Sequence, residues 1–117
     1  MLSISGQVKV FLAAQPTDMR KSFDTLAALV QEVLKLDPLS GHLFVFRGKR
    51  ADRVKVLYWD THGYAIWYKR LESGNFRFPR CEDDTASVTI SATDLAMLLD
   101  GVDLSSVKRR ERYRRPA

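Results

Sequence analysis

Apolar and polar positions alternate with two different periods along this chain, and the change of period separates strands from helices. Gln7 to Ala13 sets Val8, Val10 and Leu12 against Lys9 and Phe11, as an opening strand would, and Pro16 ends it. From Thr17 or Asp18 as cap, Phe23, Leu26, Ala27, Val30, Val33 and Leu34 recur at three- and four-residue intervals. That spacing predicts an amphipathic helix of about four turns, closed by Pro38 and the Leu39-Ser40-Gly41 turn.

Between Gly41 and Pro79 the pattern becomes strand-like, with aromatic and β-branched runs separated by polar loops. His42 to Phe46, Val54 to Trp59 and Tyr64 to Leu71 read as consecutive antiparallel strands, and Phe76 to Phe78 as a short fourth. Asp60-Thr61-His62-Gly63 and Ser73-Gly74-Asn75 are the hairpin signals between them. Ala86 to Ile90 follows as an edge strand. Ser91-Ala92-Thr93-Asp94 then resembles a capping box before a short helix, Thr93 to Leu99, that stops at Asp100-Gly101. Leu95, Met97, Leu98, Leu99, Val102 and Leu104 are either a lid on the sheet or a docking patch. The pattern predicts an α+β fold: an antiparallel meander of about five strands packed with one long N-terminal and one short C-terminal helix. Residues 1–105 would be a single domain and residues 106–117 a flexible basic tail, because SSVKRRERYRRPA has no apolar period.

Strand alternation also assigns faces. Val54, Val56 and Tyr58 oppose Lys55, Leu57 and Trp59, while Tyr64, Ile66 and Tyr68 oppose Ala65, Trp67 and Lys69. The expectation is a core face and a half-open face where Trp59, Trp67 and Tyr68 stand among cations, as nucleic-acid platforms and protein interfaces do.

Composition adds a compartment and a charge pattern. An apolar content of 45% supports one ordinary core. With Cys81 as the one cysteine, no disulfide closes within the chain, and neither a membrane span nor a leader is legible. A cytoplasmic protein without membrane partners is expected. The net charge of +5 is unevenly placed. Residues 40–80 hold nine cations against three anions, residues 81–107 hold six anions and no cation, and residues 108–117 hold six cations against Glu111. Such polarity concerns partners, not the fold.

Two stretches stand out as candidate chemistry. The loop Arg47-Gly48-Lys49-Arg50-Ala51-Asp52-Arg53 carries more cations than a turn needs, and Lys55, Lys69 and Arg70 lie on the adjoining strands. Asp18-Met19-Arg20-Lys21-Ser22 opens the first helix, where free N–H groups and the helix dipole favour anions. No catalytic, metal or cofactor constellation emerges. His42, His62 and Cys81 lack metal-ligand spacing, and Asp52 and Asp60 fall at opposite ends of one predicted strand, roughly 25 Å apart. Glu82-Asp83-Asp84 suits a solvated loop, and Tyr68 lacks the companions of a tyrosine nucleophile.

Longer runs carry a resemblance. They are Met19-Arg20-Lys21-Ser22-Phe23-Asp24, Leu43-Phe44-Val45-Phe46-Arg47-Gly48-Lys49-Arg50, Asp52-Arg53-Val54-Lys55, Leu57-Tyr58-Trp59-Asp60 and Tyr68-Lys69-Arg70-Leu71-Glu72. Together they resemble the TnpB-type accessory proteins of the insertion-sequence sixty-six group, from the first strand to the Leu95-Leu98-Leu99-Gly101 helix end. These are unrelated to the RNA-guided nucleases that share the name. The resemblance implies a non-enzymatic accessory factor of transposition, with cutting and joining done by a separate, larger transposase. One expectation is DNA binding at the element ends through Arg20, Lys21, Arg47, Lys49, Arg50, Arg53, Lys55, Lys69 and Arg70, clamped by Lys108, Arg109, Arg110 and Arg112. The alternative is a protein module that bridges the transposase and other element proteins through Trp59, Trp67 and Tyr68 or the Leu95 patch.

Overall fold

The computed structural model describes residues 7–82 and 84–101. The elements in chain order are β1 (Val10–Ala13), α1 (Phe23–Glu32), β2 (Leu43–Arg47), β3 (Arg53–Asp60), β4 (Gly63–Arg70), β5 (Ser87–Ile90) and α2 (Ala92–Leu99). The five strands form one sheet in the order β4-β3-β2-β1-β5.

The α+β class stands, and β2, β3 and β4 are the expected meander, with Phe44 opposite Leu57 and Val56 opposite Trp67. The sheet as a whole is mixed instead of antiparallel, because β1 runs parallel to β2, Val10 beside Leu43. A parallel neighbour requires a crossover, and α1 supplies it. β5 then adds antiparallel to β1 on the outer side. The run Phe76 to Phe78 is not a strand: it belongs to a strap over residues 72–80 that has no ladder partner among the described residues.

Helix α1 is shorter than its apolar period suggests and starts later. Thr17 donates its backbone N–H to the Arg47 carbonyl at 2.8 Å, and the Asp18 side chain accepts from the Arg20 N–H at 2.9 Å, so residues 17–21 turn before Ser22 caps the helix. At the other end Lys35 takes φ +59°, and the Leu36 N–H reaches back to the Val30 carbonyl at 3.0 Å. That left-handed residue halts the helix although Val33 and Leu34 continue the period. Helix α2 starts at Ala92, one residue before the expected Thr93, and ends at Leu99: the Ser91 hydroxyl accepts from the Asp94 N–H at 2.9 Å, and Gly101 takes φ +92° beyond its end.

Both faces of the sheet are covered. On one, Leu26, Ala27, Val30 and Leu34 of the α1 region pack on Phe44, Phe46 and Leu57. On the other, Leu95, Leu98 and Leu99 of α2 and Phe76 of the strap pack on Val10, Leu12, Val45, Val54 and Val56. This double cover is why Leu43 to Phe46 are buried without alternation. The cover is complete over the centre of the sheet, while Tyr68 near the β4 edge stays exposed and Trp59 and Trp67 half-buried; Leu95, Leu98 and Leu99 are core, and Val102 and Leu104 lie outside the described residues.

Candidate nucleic-acid interface

The ends of β1, β2 and β4 and the start of β3 meet at one end of the sheet, and the two basic stretches converge there. The β2–β3 turn closes through Gly48 N–H to the Arg53 carbonyl at 3.1 Å and Ala51 N–H to the Gly48 carbonyl at 3.0 Å, with Ala51 left-handed at φ +62°. Gly48 is buried, and a Cβ placed on it would stand 2.9 Å from Cγ of Met19. Glycine is therefore what lets the 17–21 loop lie against the turn. The strap is tied to the same turn by Phe76 N–H to the Ala51 carbonyl at 2.6 Å and Asn75 Nδ2 to the Arg50 carbonyl at 3.3 Å.

The cations at this end divide into three groups. Lys55 is 8% exposed, donates from Nζ to the Lys21 carbonyl at 2.6 Å and lies 4.7 Å from the Tyr68 ring centre. It pins the loop before α1 to the sheet. Arg47 donates to the Ala14 carbonyl at 3.1 Å with its guanidinium 5.6 Å from the Phe78 ring centre, and Lys69 Nζ donates to the Leu99 carbonyl at 3.1 Å at the C-terminal end of α2. These three hold the scaffold. Two more are paired with acids: Arg20 with Asp18 at 2.8 Å and Arg70 with Glu72 at 3.0 Å. The Arg20 side chain holds the Asp18 carboxyl well below the usual carboxylate range, and Asp18 raises the guanidinium in turn.

Lys49 and Arg50 are exposed and have no ionic partner among the described residues. Half-buried Arg53 has only a long contact, 3.5 Å from Nη1 to the Tyr68 hydroxyl. Sequence reasoning missed Arg77 and Arg80, which are equally exposed and have no ion pair among the described residues. Their signal was the alternation Phe76-Arg77-Phe78-Pro79-Arg80, in which Phe76 is buried under the sheet and the arginines turn outward. Two shallow hollows flank the turn. One of about 470 Å³ is lined by Arg47, Arg77, Phe78, Arg80 and Cys81, and one of about 360 Å³ by Asp18, Met19, Lys49, Arg50 and Arg53. Burial pushes the Cys81 thiol upward, against the pull of Arg47. Neither ion pair among the described residues draws on an acid beyond Cys81, although Glu82 lines the larger hollow together with Arg77 and Arg80.

Residues 8–109 match the family described as IS66 Orf2 like protein. The chain belongs to the IS66 Orf2-like family. That is a family of accessory reading frames rather than a known catalytic one, and it points to an accessory role in transposition. Two relatives come from Sinorhizobium fredii strain NGR234. The uncharacterized protein y4hO is 45% identical over 103 residues, 88% of each chain. The uncharacterized protein y4jC is 39% identical over 110 residues, 94% of this chain and 92% of its own. No solved structure matches this chain.

The IS66 Orf2-like protein does not carry its aromatic residues as one platform. Trp59 packs edge-on against Tyr64 at 5.2 Å beside the Asp60 turn, far from the basic end. Trp67, opposite Val56, faces the α2 side, whereas Tyr68, opposite Lys55, faces the α1 side. Asp52 and Asp60 bracket β3 and do not converge. His42 lies at the far end, where its Nδ1 accepts from the Lys9 N–H at 3.0 Å. No helix among the described residues is long and apolar enough to cross a membrane. Lys108, Arg109, Arg110 and Arg112 lie outside the described residues.

Proposed function

We propose that this IS66 Orf2-like protein is a DNA-binding accessory factor of transposition that sets the basic end of its sheet on the phosphate backbone. The observation that carries this is the convergence of Lys49, Arg50, Arg77 and Arg80, exposed and without an ion pair among the described residues, around the β2–β3 turn beside the 17–21 loop. Lys49, Arg50 and Arg53 are the central contacts. Arg20 and Lys21 flank them on one side and Arg77 and Arg80 on the other, with the Lys108–Arg112 stretch as an additional polycation. Lys55, Lys69 and Arg47 serve by holding these elements in place. The larger transposase of the element performs the strand chemistry and is the protein partner that this role implies.

Each phosphate neutralised releases a counterion, so log affinity should fall with log salt at about 0.9 per contact on duplex DNA. The test is the affinity for element-end duplex across a salt series. A steep slope that becomes shallower in Lys49→Ala/Arg50→Ala supports the reading; a slope near zero, or no binding at low salt, removes it.

A further inference from the structure

The sheet ends at β4, and the open side of β4 has a defined phase. Leu71 donates its N–H to the Asp52 carbonyl at 2.8 Å, one step beyond the Arg53–Arg70 pair of the β3–β4 ladder. Antiparallel ladders alternate, so the odd-numbered residues of β4 exchange hydrogen bonds with β3. The backbone groups of Tyr64, Ile66, Tyr68 and Arg70 therefore face outward, and none has a hydrogen bond to a loop among the described residues. This edge is eight residues long against four for β5 at the opposite edge. From Tyr64 to Tyr68 it contains no charge, proline or glycine, the devices that usually blunt an edge. Lys69, bonded to the Leu99 carbonyl, and Arg70, paired with Glu72, stand at one end and leave it one net positive charge, and Asp60 stands at the other, next to Gly63.

From this edge we infer that the protein forms a two-fold dimer in which β4 pairs antiparallel with β4 of a second copy, joining two sheets into one of ten strands. Only residues whose backbone groups face outward can exchange hydrogen bonds, which restricts the register to even-with-even pairs. With Ile66 on the axis, Tyr64 meets the second copy's Tyr68, and Ala65 lies opposite its Trp67. Lys69 falls opposite Gly63, and Arg70 falls beside His62 in the Asp60–Gly63 turn. The cationic end of each strand thus meets the end that holds Asp60. A parallel arrangement would lay Lys69 and Arg70 alongside themselves, so charge favours the antiparallel copy. The same patch meets itself across the axis, as closed two-fold assemblies require. One consequence is that the two basic sheet ends point in opposite directions. The pairing does not rest on the DNA reading.

The test is the mass of the full chain in solution across a dilution series, together with amide exchange. The expected species at high concentration has twice the 13.4 kDa of one chain. The amides of Tyr64, Ile66 and Tyr68 should be protected there and become fast on dilution, while those of Ala65 and Trp67 stay protected throughout. Ile66→Pro removes an outward N–H and leaves the β3 ladder intact. It should weaken the dimer on the order of tenfold or more, since both bonds across the axis vanish. A monomer at all concentrations, fast exchange of all three amides in the dimer, or undiminished dimerisation of a folded Ile66→Pro variant would each overturn the pairing. The exchange measurement on the unaltered chain decides the matter if that variant does not fold.

Discussion

At the residue scale, the basic end depends on one missing methyl group and one buried ammonium. Gly48→Ala places a carbon where Met19 already packs. It should cost about 1–3 kcal/mol in urea unfolding, the range of an overpacked site. In a Met19→Ala background the same change should cost less, and equal costs in both backgrounds would deny the contact. Lys55 and Lys49 make a second pair of opposites. Lys55→Met leaves the Lys21 carbonyl without its donor and should lose about 1–3 kcal/mol of stability. Lys49→Ala should leave unfolding within about 0.5 kcal/mol and instead reduce DNA affinity. Strand alternation could show that Lys55 leaves the Val54–Val56 face, but not what lies over it. The cover comes from residues 17–21, thirty-four positions away at Lys21, and no local pattern encodes that contact. Arg77 is hidden for the complementary reason: Phe76 to Phe78 reads as a strand, where every second side chain would be spent on a face, and Arg80 lies just beyond it.

At the scale of elements, the meander was legible because each of its hairpins is local and each strand ends in its own turn signal. The parallel β1 was not. A strand–helix–strand order is compatible with either direction until the return path is known, and the apolar face of α1 is the same for both. The Phe76–Phe78 strap was misread because alternation of aromatic and basic residues mimics a strand. Its ties are to the β2–β3 turn, through Phe76 N–H and Asn75 Nδ2, and not to a neighbouring ladder. The double cover makes a prediction about α1. Leu26 is fully buried over Phe44, Phe46 and Leu57, so Leu26→Ala should cost about 2–5 kcal/mol. Val33 continues the same apolar period in sequence but is 57% exposed past the helix end. Val33→Ala should change stability by less than about 0.5 kcal/mol, and thermal or urea unfolding of the two variants separates them. A large loss at Val33 would mean that the helix runs on and the left-handed turn at Lys35 does not stop it.

At the scale of the whole molecule, location matters more than total charge. The basic end gathers cations from the 17–21 loop, the β2–β3 turn and the 77–80 strap, while Lys9 stands at the other end of the sheet, hydrogen-bonded through its backbone to His42 and Leu43. A protein held to DNA by net charge alone would lose equally from removing any lysine. One held by its sheet end would not. On the proposed reading Lys49→Ala/Arg50→Ala would remove two phosphate contacts and should reduce the salt slope by about 1.8, whereas Lys9→Ala should leave slope and affinity unchanged. The Asp18–Arg20 pair provides a test of opposite sign. Asp18→Asn keeps an acceptor for the Arg20 N–H but releases the guanidinium from its carboxylate, so DNA affinity should rise at low salt. The linkage has the matching direction. Asp18 has its carboxyl depressed in the folded state, so the pair stays intact above the ordinary carboxylate range and is lost only as pH falls through the depressed value. Binding measured between neutral and mildly acidic pH should therefore show no gain from freeing Arg20 in the unaltered chain, and the Asn variant should keep its advantage throughout that interval. Equal affinity losses in the Lys9 and Lys49/Arg50 variants, with no gain from Asp18→Asn, would leave a diffuse polycation and dissolve the interface.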